Sequence, residues 1–279
     1  GVACAGAWST GATVGDVNND GYLDLYVGQS YYDKDPERRR NVLFINNGNL
    51  TFTNKAKEYG VDLTNYTIQS AFLDADRDGD LDLYVGNTPL QRTGQAPGTH
   101  QKLFKAPIME FSDRYFENNG NGKFVDKTKE AGFLNYGWML GVSIADYNND
   151  GWQDIYIAVD HSEPDLFMIN NQDGTFSNQI DKKMKHISAS SMGTDAVDIN
   201  NDGFQDLVSL DMLSVDNYNE KTQMGSMNPE AFWARVDFGY HYQYMRNMLH
   251  LNIGSGQFAE IGQMANLHKT DWSWSVLGA

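Results

Sequence analysis

The chain has 279 residues, 41% hydrophobic and 13% aromatic, enough to bury a full core as one repeat-built domain or as two ordinary ones. Its formal net charge of −16 argues against nucleic acid and anionic lipid as partners, and its single cysteine, Cys4, excludes an internal disulfide framework. No apolar run approaches the roughly 18 residues needed to span a bilayer, and with no initiator Met or leader-like start the sequence is expected to be part of a longer or processed chain.

The first element runs from Trp8 to Gly15, small and β-branched, and reads as a strand. It leads into Asp16-Val17-Asn18-Asn19-Asp20-Gly21-Tyr22-Leu23-Asp24-Leu25. After this loop Leu23, Leu25 and Val27 alternate with Asp24 and Tyr26, a period of two that marks a second strand. A polar connection from Gln29 to Arg40 follows. Its run Arg38-Arg39-Arg40 beside Asp33, Asp35 and Glu37 reads as a solvated, salt-bridged loop. Val42–Ile45, the turn Asn46-Asn47-Gly48-Asn49 and Thr51–Thr53 then form a hairpin signal.

The same order of parts returns three times. The acidic loop recurs from Asp74, Asp146 and Asp198, and the hairpin recurs at Asn118, Asn170 and Asn252, each with Phe six residues later: Phe52, Phe124, Phe176 and Phe258. From turn Asn to the next loop Asp the distance is 28 residues in every case (46 to 74, 118 to 146, 170 to 198), whereas from loop Asp to turn Asn it is 30, 44, 24 and 54. All length variation therefore falls in one connection. Four short strands per repeat of 52 to 72 residues match a β-propeller blade. The expected fold is all-β: four-stranded antiparallel blades, with repeats starting near residues 8, 66, 138 and 190. A fifth begins near 272, so that residues 1–279 form a fragment of one propeller domain, Trp274–Ala279 being a fifth lead-in strand. The loop is then the A–B turn, the Asn hairpin joins C to D, and the variable segment joins B to C, at the opposite end of the blade.

The loops have the composition of a hard-cation site. Calcium takes six to eight oxygens in a flexible shell. Each loop offers side chains at positions 1, 3, 5 and 9 and a main-chain carbonyl at 7: Asp16, Asn18, Asp20, Tyr22 and Asp24; Asp74, Asp76, Asp78, Asp80 and Asp82; Asp146, Asn148, Asp150, Trp152 and Asp154; Asp198, Asn200, Asp202, Phe204 and Asp206. No His or Cys that would suit zinc or copper is present in them. They are not EF-hands, because position 12 holds Val27, Val85, Ile157 and Ser209 rather than Glu. One copy alone could be a plain turn; four in register argue against it. About four Ca²⁺ per chain, carrying +8 together, would bring the formal charge from −16 to −8.

The loops and the strands behind them, Leu-Asp-Leu-Tyr-Val-Gly twice and then Gln-Asp-Ile-Tyr-Ile and Gln-Asp-Leu-Val-Ser, resemble the FG-GAP/VCBS repeats of integrin α-subunit propellers and bacterial surface proteins. With the segments 238–242 and 271–274, the chain is most similar to large bacterial repeat lipoproteins of the ASPIC/UnbV-associated group. That resemblance implies a cell-surface propeller with structural calcium, on the outer-membrane surface beside nutrient-uptake components. Its partner would be a protein or glycan, and its membrane attachment a lipid anchor outside these residues. It implies no established reaction, and the chain is expected not to be an enzyme; the rival reading is a polysaccharide-lyase-like enzyme, because some calcium-bearing propellers resemble those.

Two B–C insertions stand out. Residues 87–112, with Pro89, Gly94, Pro97, Gly98 and Pro107, read as an ordered loop or irregular flap. Residues 211–247 carry Met212, Met224, Met227, Phe238 and Met245 together with Phe232, Trp233, Tyr240, His241, Tyr242 and Tyr244. Such density suits either a ligand platform or a private mini-core. His241, Tyr242 and Tyr244 are the local group an enzyme would use; the other histidines show no ligand spacing. Gly254–Phe258 imitates a dinucleotide fingerprint but lacks a βαβ context and reads as the C–D turn. Trp8, Tyr66, Trp138 and Trp272 share one repeat position and are expected to pack between blades.

Overall fold

A computed structural model describes residues 2–4, 6–31, 34–89, 101–161, 163–223, 228–254 and 256–278. The stretch 90–100 of the first insertion, with Met224, Met227 and Asp33, lies outside the described residues. The described residues form two compact units, one built from residues before 90, 101–139 and 171–176, the other from residues 140–170 and those after 176.

The first unit holds two antiparallel sheets. One comprises β1 (Ser9–Gly15), β2 (Asp24–Gln29), β3 (Val42–Asn46) and β4 (Phe52–Asn54); after it a single helical turn, α1 (Ala56–Tyr59), ends at Gly60 with φ 81°. The other comprises β5 (Thr67–Leu73), β6 (Asp82–Asn87), β7 (Arg114–Asn118) and β8 (Phe124–Asp126), with α2 (Gln101–Lys105) in its B–C connection. β9 (Trp138–Ala145), β10 (Asp154–Asp160), β11 (Leu166–Asn170) and β12 (Phe176–Asn178) form a third sheet, all but Trp138, Met139 and Phe176 of it in the second unit, followed by α3 (Ile180–Lys183). The short β13 (Ile187–Ser188) precedes β14 (Thr194–Val197) and β15 (Asp206–Ser209) of the fourth sheet. The second insertion then supplies α4 (Asn217–Gln223), α5 (Pro229–Phe238) and β16 (Gln243–Tyr244), which pairs in parallel with β13; β17 (Met248–Asn252) and β18 (Phe258–Glu260) complete the sheet. In all four sheets the strands lie in sequence order, the up-and-down arrangement of a propeller blade.

Register explains the fixed spacings. Each acidic loop closes a ladder that ends on its ninth residue, as in Gly15 opposite Asp24, Leu73 opposite Asp82 and Val197 opposite Asp206. Each turn Asn pairs with the Phe six residues on: Asn46 with Phe52, Asn118 with Phe124, Asn252 with Phe258. That Phe is a knob against the preceding blade. Phe258 meets Phe167 and Tyr147 at 5.5 and 6.2 Å, and Phe124 meets Tyr59 at 6.3 Å. The B strands bury both faces, β6 at every residue, which turns their alternation into continuous apolar runs. The lead-in strands need small residues because the next lead-in backbone lies against them: a Cβ on Gly11, Gly141 or Gly193 would sit 2.5, 2.7 or 2.6 Å from the carbonyl oxygen of Ile68, Met192 or Trp274.

Three expectations are corrected. Arg39 is buried rather than solvated: its guanidinium lies 4.0 Å above the Tyr66 ring and pairs with Glu110 at 2.8 Å, while Arg40 keeps the expected surface pairs with Glu37 and Asp62. Of the aromatics expected between blades, Tyr66 packs this way, but Trp8 and Trp272 stay more than half exposed. Trp274–Gly278 runs beside β14, where the Gly278 N–H donates to Asp195, yet it forms no strand, since no B strand pairs with it among the described residues.

Candidate metal centres and an aromatic cavity

The four acidic loops share one backbone. Position 4 is left-handed in each (Asn19 56°, Arg77 62°, Asn149 56°, Asn201 57°), and so is position 6 (Gly21 86°, Gly79 89°, Gly151 87°, Gly203 88°). Asn tolerates the first of these and Gly is suited to the second. The bends turn side chains 1, 3 and 5 inward. Asp16 accepts the N–H groups of Asp20 and Gly21 at 3.1 and 2.8 Å, Asn18 accepts that of Asp20, and Asp20 that of Tyr22 at 2.9 Å. The loops at Asp146 and Asp198 repeat these bonds.

The second loop replaces the position-3 amide with Asp76, and carboxylate oxygens of Asp74, Asp76 and Asp78 come within 4.8 Å of one another. Burial, and then the charges of Asp78 and Asp74, push the Asp76 carboxyl above its usual range. Three carboxylates this close repel one another, with solvent screening part of the repulsion. An all-oxygen donor set of this kind fits a hard divalent cation.

Position 9 does a second job. Asp24, Asp82, Asp154 and Asp206 are almost wholly buried, and each ties the loop to the hairpin of its own blade. Oδ2 accepts the N–H of loop residue 2 (Val17, Ala75, Tyr147, Ile199), and Oδ1 accepts the N–H of the turn Asn at 2.7–2.9 Å (Asn46, Asn118, Asn170, Asn252). A second lone pair remains on each of these oxygens except Asp82 Oδ2, which also accepts the Tyr115 hydroxyl at 2.8 Å. Burial pushes Asp82 and Asp154 up to about 7 and raises Asp24 and Asp206 as well.

The turn Asn is a structural hub that reading the sequence did not isolate. Asn118 donates through Nδ2 to the Leu81 carbonyl of its own blade and the Val17 carbonyl of the preceding one, and accepts the Gly120 N–H; Asn252 does the same with Gln205, Tyr147 and Gly254. Its invariant register, 28 residues before the next loop, was the available signal.

At the other end of each blade the residue before strand C caps strand B. Asn41, Asp113, Asp165 and Asn247 accept the N–H of Gln29, Asn87, Val159 and Asp211 at 2.7–2.8 Å. A buried B-strand tyrosine joins three of them: Tyr84 and Tyr156 donate to Asp113 and Asp165, and Tyr26 accepts from Asn41. Burial pushes both carboxyls up to about 7.

The second insertion remains largely a surface. Met245 and Leu213 bury with Ala189 in a small cluster, but α5 contains no buried residue, and Trp233, Phe238, Tyr242 and Tyr244 are exposed. Asn228 caps α5 by accepting the Glu230 N–H at 2.8 Å, with Pro229 in its first turn and Gly239 (φ 98°) at its end. The helix brings Phe232 to within 5.3 Å of the Tyr244 ring and 6.3 Å of Tyr242. Phe232, Trp233 and Tyr244 line a cavity of about 460 Å³. Three expected members do not line it: Tyr242 lies beside Phe232, Tyr240 packs on Phe238, and His241 turns its Nδ1 to Asp181 at 3.1 Å. Beside the cavity, burial raises the Glu260 carboxyl, but a hydrogen bond from His186, the Gly262 N–H and the Arg246 charge outweigh it and hold Glu260 at about 2. Burial pushes His250 down to about 3.

Comparison with solved structures gives distant likenesses. One is an Agrocybe aegerita lectin described as recognising non-reducing terminal N-acetylglucosamine (17% identity, TM-score 0.44, 88% of this chain and 49% of that one). Another is the Bacillus licheniformis rhamnogalacturonan lyase (13%, TM-score 0.38, 72% and 39%). The chain thus spans half or less of the length of each. No curated protein matches it. The FG-GAP-like repeat family matches residues 111–157 and 146–209, and the FG-GAP repeat family matches residues 7–42. These segments cover the first, third and fourth acidic loops with strands beside them, so FG-GAP-type repeats are found over those parts of the chain.

Proposed function

We propose that this chain is a calcium-stabilised binding module of the cell surface, in which the metal is structural and the ligand surface is carried by the B–C insertion of the fourth blade. The supporting observation is the fourfold loop geometry: three inward oxygen donors at positions 1, 3 and 5, on a bend tied to its own blade by the buried Asp at position 9. The ligands would be those side chains, the position-7 carbonyl and the remaining lone pairs of the position-9 carboxylate. Bound calcium would supply the positive charge that inward-facing, partly buried carboxylates lack, so each loop would stiffen and the B strand and C–D hairpin would be held through Asp24, Asp82, Asp154 and Asp206. Extracellular calcium modules bind at roughly 10⁻⁴ to 10⁻³ M, which suits a calcium-replete exterior.

In the fourth blade, the exposure of Trp233 and Tyr244 around a cavity favours a glycan or protein ligand there. Calorimetric titration of metal-free protein tests the metal assignment. About four ions per chain are expected; none, or one, contradicts it.

A further inference from the structure

We propose that the fourth-blade cavity is a binding site for a carboxylated sugar, a uronic-acid unit of an acidic glycan. This rests on the binding-module reading and narrows it to one ligand class. One wall is aromatic: Trp233 is 55% and Tyr244 41% exposed, with the Phe232 ring between the helix and the strand. Exposed rings gathered at a concave surface present flat apolar faces of the kind that cover the C–H face of a sugar.

The other wall is cationic, against the sign of the whole chain. Arg235, Arg246 and Lys269 line the cavity, with Glu220 as the acidic member, in a protein of formal charge −16. Lys269 is paired with Glu220, and Arg246 reaches Glu260 and His186 through one Nη, each at 3.0 Å. An anion would be attracted to this spot while repelled by most of the remaining surface.

Unsatisfied polar atoms provide an independent observation. Among the described residues, Arg246 Nε, Gln243 Oε1 and His268 Nδ1 are buried without a hydrogen-bond partner, and all three side chains line this one cavity. Buried polar atoms are ordinarily paired, so three orphans on side chains of one lining mark a place where a ligand completes the bonding once those side chains turn toward it. They ask for a mixed ligand: an acceptor for the Arg246 N–H, a donor for Gln243 Oε1, and either for His268. A carboxylate with neighbouring hydroxyls on a ring with an apolar face meets all three demands. A neutral sugar lacks the anion, and an aromatic carboxylate lacks the hydroxyls. The volume of about 460 Å³ falls in the range of small-molecule sites, roughly 300–1,000 Å³.

The test is calorimetric titration of the whole calcium-loaded chain with oligosaccharides of galacturonate, glucuronate, mannuronate and guluronate, with the matched neutral sugars and triglutamate as comparison probes. At least one uronate is expected to bind ten-fold or more tightly than its neutral counterpart and than the peptide, and to weaken with added salt. Trp233→Ala and Arg235→Gln are each expected to reduce that binding ten-fold or more while leaving calcium stoichiometry and melting temperature unchanged. That last control separates this site from uronate bridged directly by loop calcium. No uronate binding, equal binding of the neutral sugar or of triglutamate, or full affinity in Trp233→Ala would overturn the proposal. Any of these could occur with four calcium ions bound, so the site and the calcium reading fail separately.

Discussion

The two ends of a blade solve different problems with the same residue types. At the loop end, four copies repeat one bond pattern almost atom for atom, and Asp, Asn and Gly are used to converge oxygens and to lock loop to hairpin. At the B–C end only the cap is repeated, through Asn41, Asp113, Asp165 and Asn247, and everything beyond it differs in length and composition. Uniformity at one end lets the other vary: once the cap has closed strand B, an insertion of any length can leave and return without disturbing the sheet. The fourth blade uses that freedom most, and it is there that orphaned polar atoms and exposed aromatics collect.

If this contrast holds, perturbing the loop end has the larger effect on stability. Chelation should be the most damaging. At 2 mM calcium and a dissociation constant near 10⁻⁴ M each site contributes about 2 kcal/mol, roughly 7 kcal/mol over four, so EDTA is expected to lower the melting temperature strongly, as read by differential scanning calorimetry. Asn118→Ala comes next. It leaves the Asp82 carboxylate in place but removes three side-chain bonds of the hub, and a loss of about 2–3 kcal/mol is expected in urea unfolding. Asn121→Ala, exposed in the same turn, should cost under about 0.5 kcal/mol. Equal costs for the two would erase the hub.

The cap end gives a pH signature. Burial raises the folded-state pKa of Asp113 and Asp165 to about 7, above the unfolded value near 3.8. Their contribution is therefore fully present below about pH 4 and is lost as pH rises through 7. Asp165→Asn should remove its share of that loss, with a gain on the order of 2 kcal/mol at pH 8 relative to pH 5. The blade-one cap shows why the amide fits: Asn41 Oδ1 takes the strand N–H while Nδ2 donates to the Tyr26 hydroxyl. A variant with the wild-type pH slope would contradict this. Glu260 works in the opposite sense. Held at about 2 in the fold, it contributes stability above pH 4.5 that is lost as pH falls towards 2. A modest gain is expected at Gln172, which takes φ 64° where the other blades have glycine; Gln172→Gly should stabilise the protein by about 1 kcal/mol in thermal unfolding.

Much of the scaffold was legible because its constraints are local. A loop that needs left-handed backbone at positions 4 and 6 and oxygen donors at 1, 3 and 5 leaves little choice of residue, and four copies in register made blade, turn and connection readable. Bonds between distant residues were not legible. Asp82 meets Asn118 and Asp24 meets Asn46 only after the sheet has formed, although the constant spacing of the Asn residues already marked them. Arg39 misled for the same reason: flanked by charged neighbours in sequence, it is buried by Tyr66 and by Glu110, 71 residues away. The aromatic insertion could be read as a platform or a mini-core. Little of it forms a mini-core: α5 buries none of its residues, and only Leu213 and Met245 of the insertion join the small cluster with Ala189.

Native mass spectrometry of the chain and of Asp78→Ala in millimolar calcium tests the central claim most directly. Four calcium ions are expected on the wild type and three on the variant, both folded, each ion lost on chelation. A folded wild-type chain carrying no ion or one, or a variant that keeps the full wild-type complement, would contradict it.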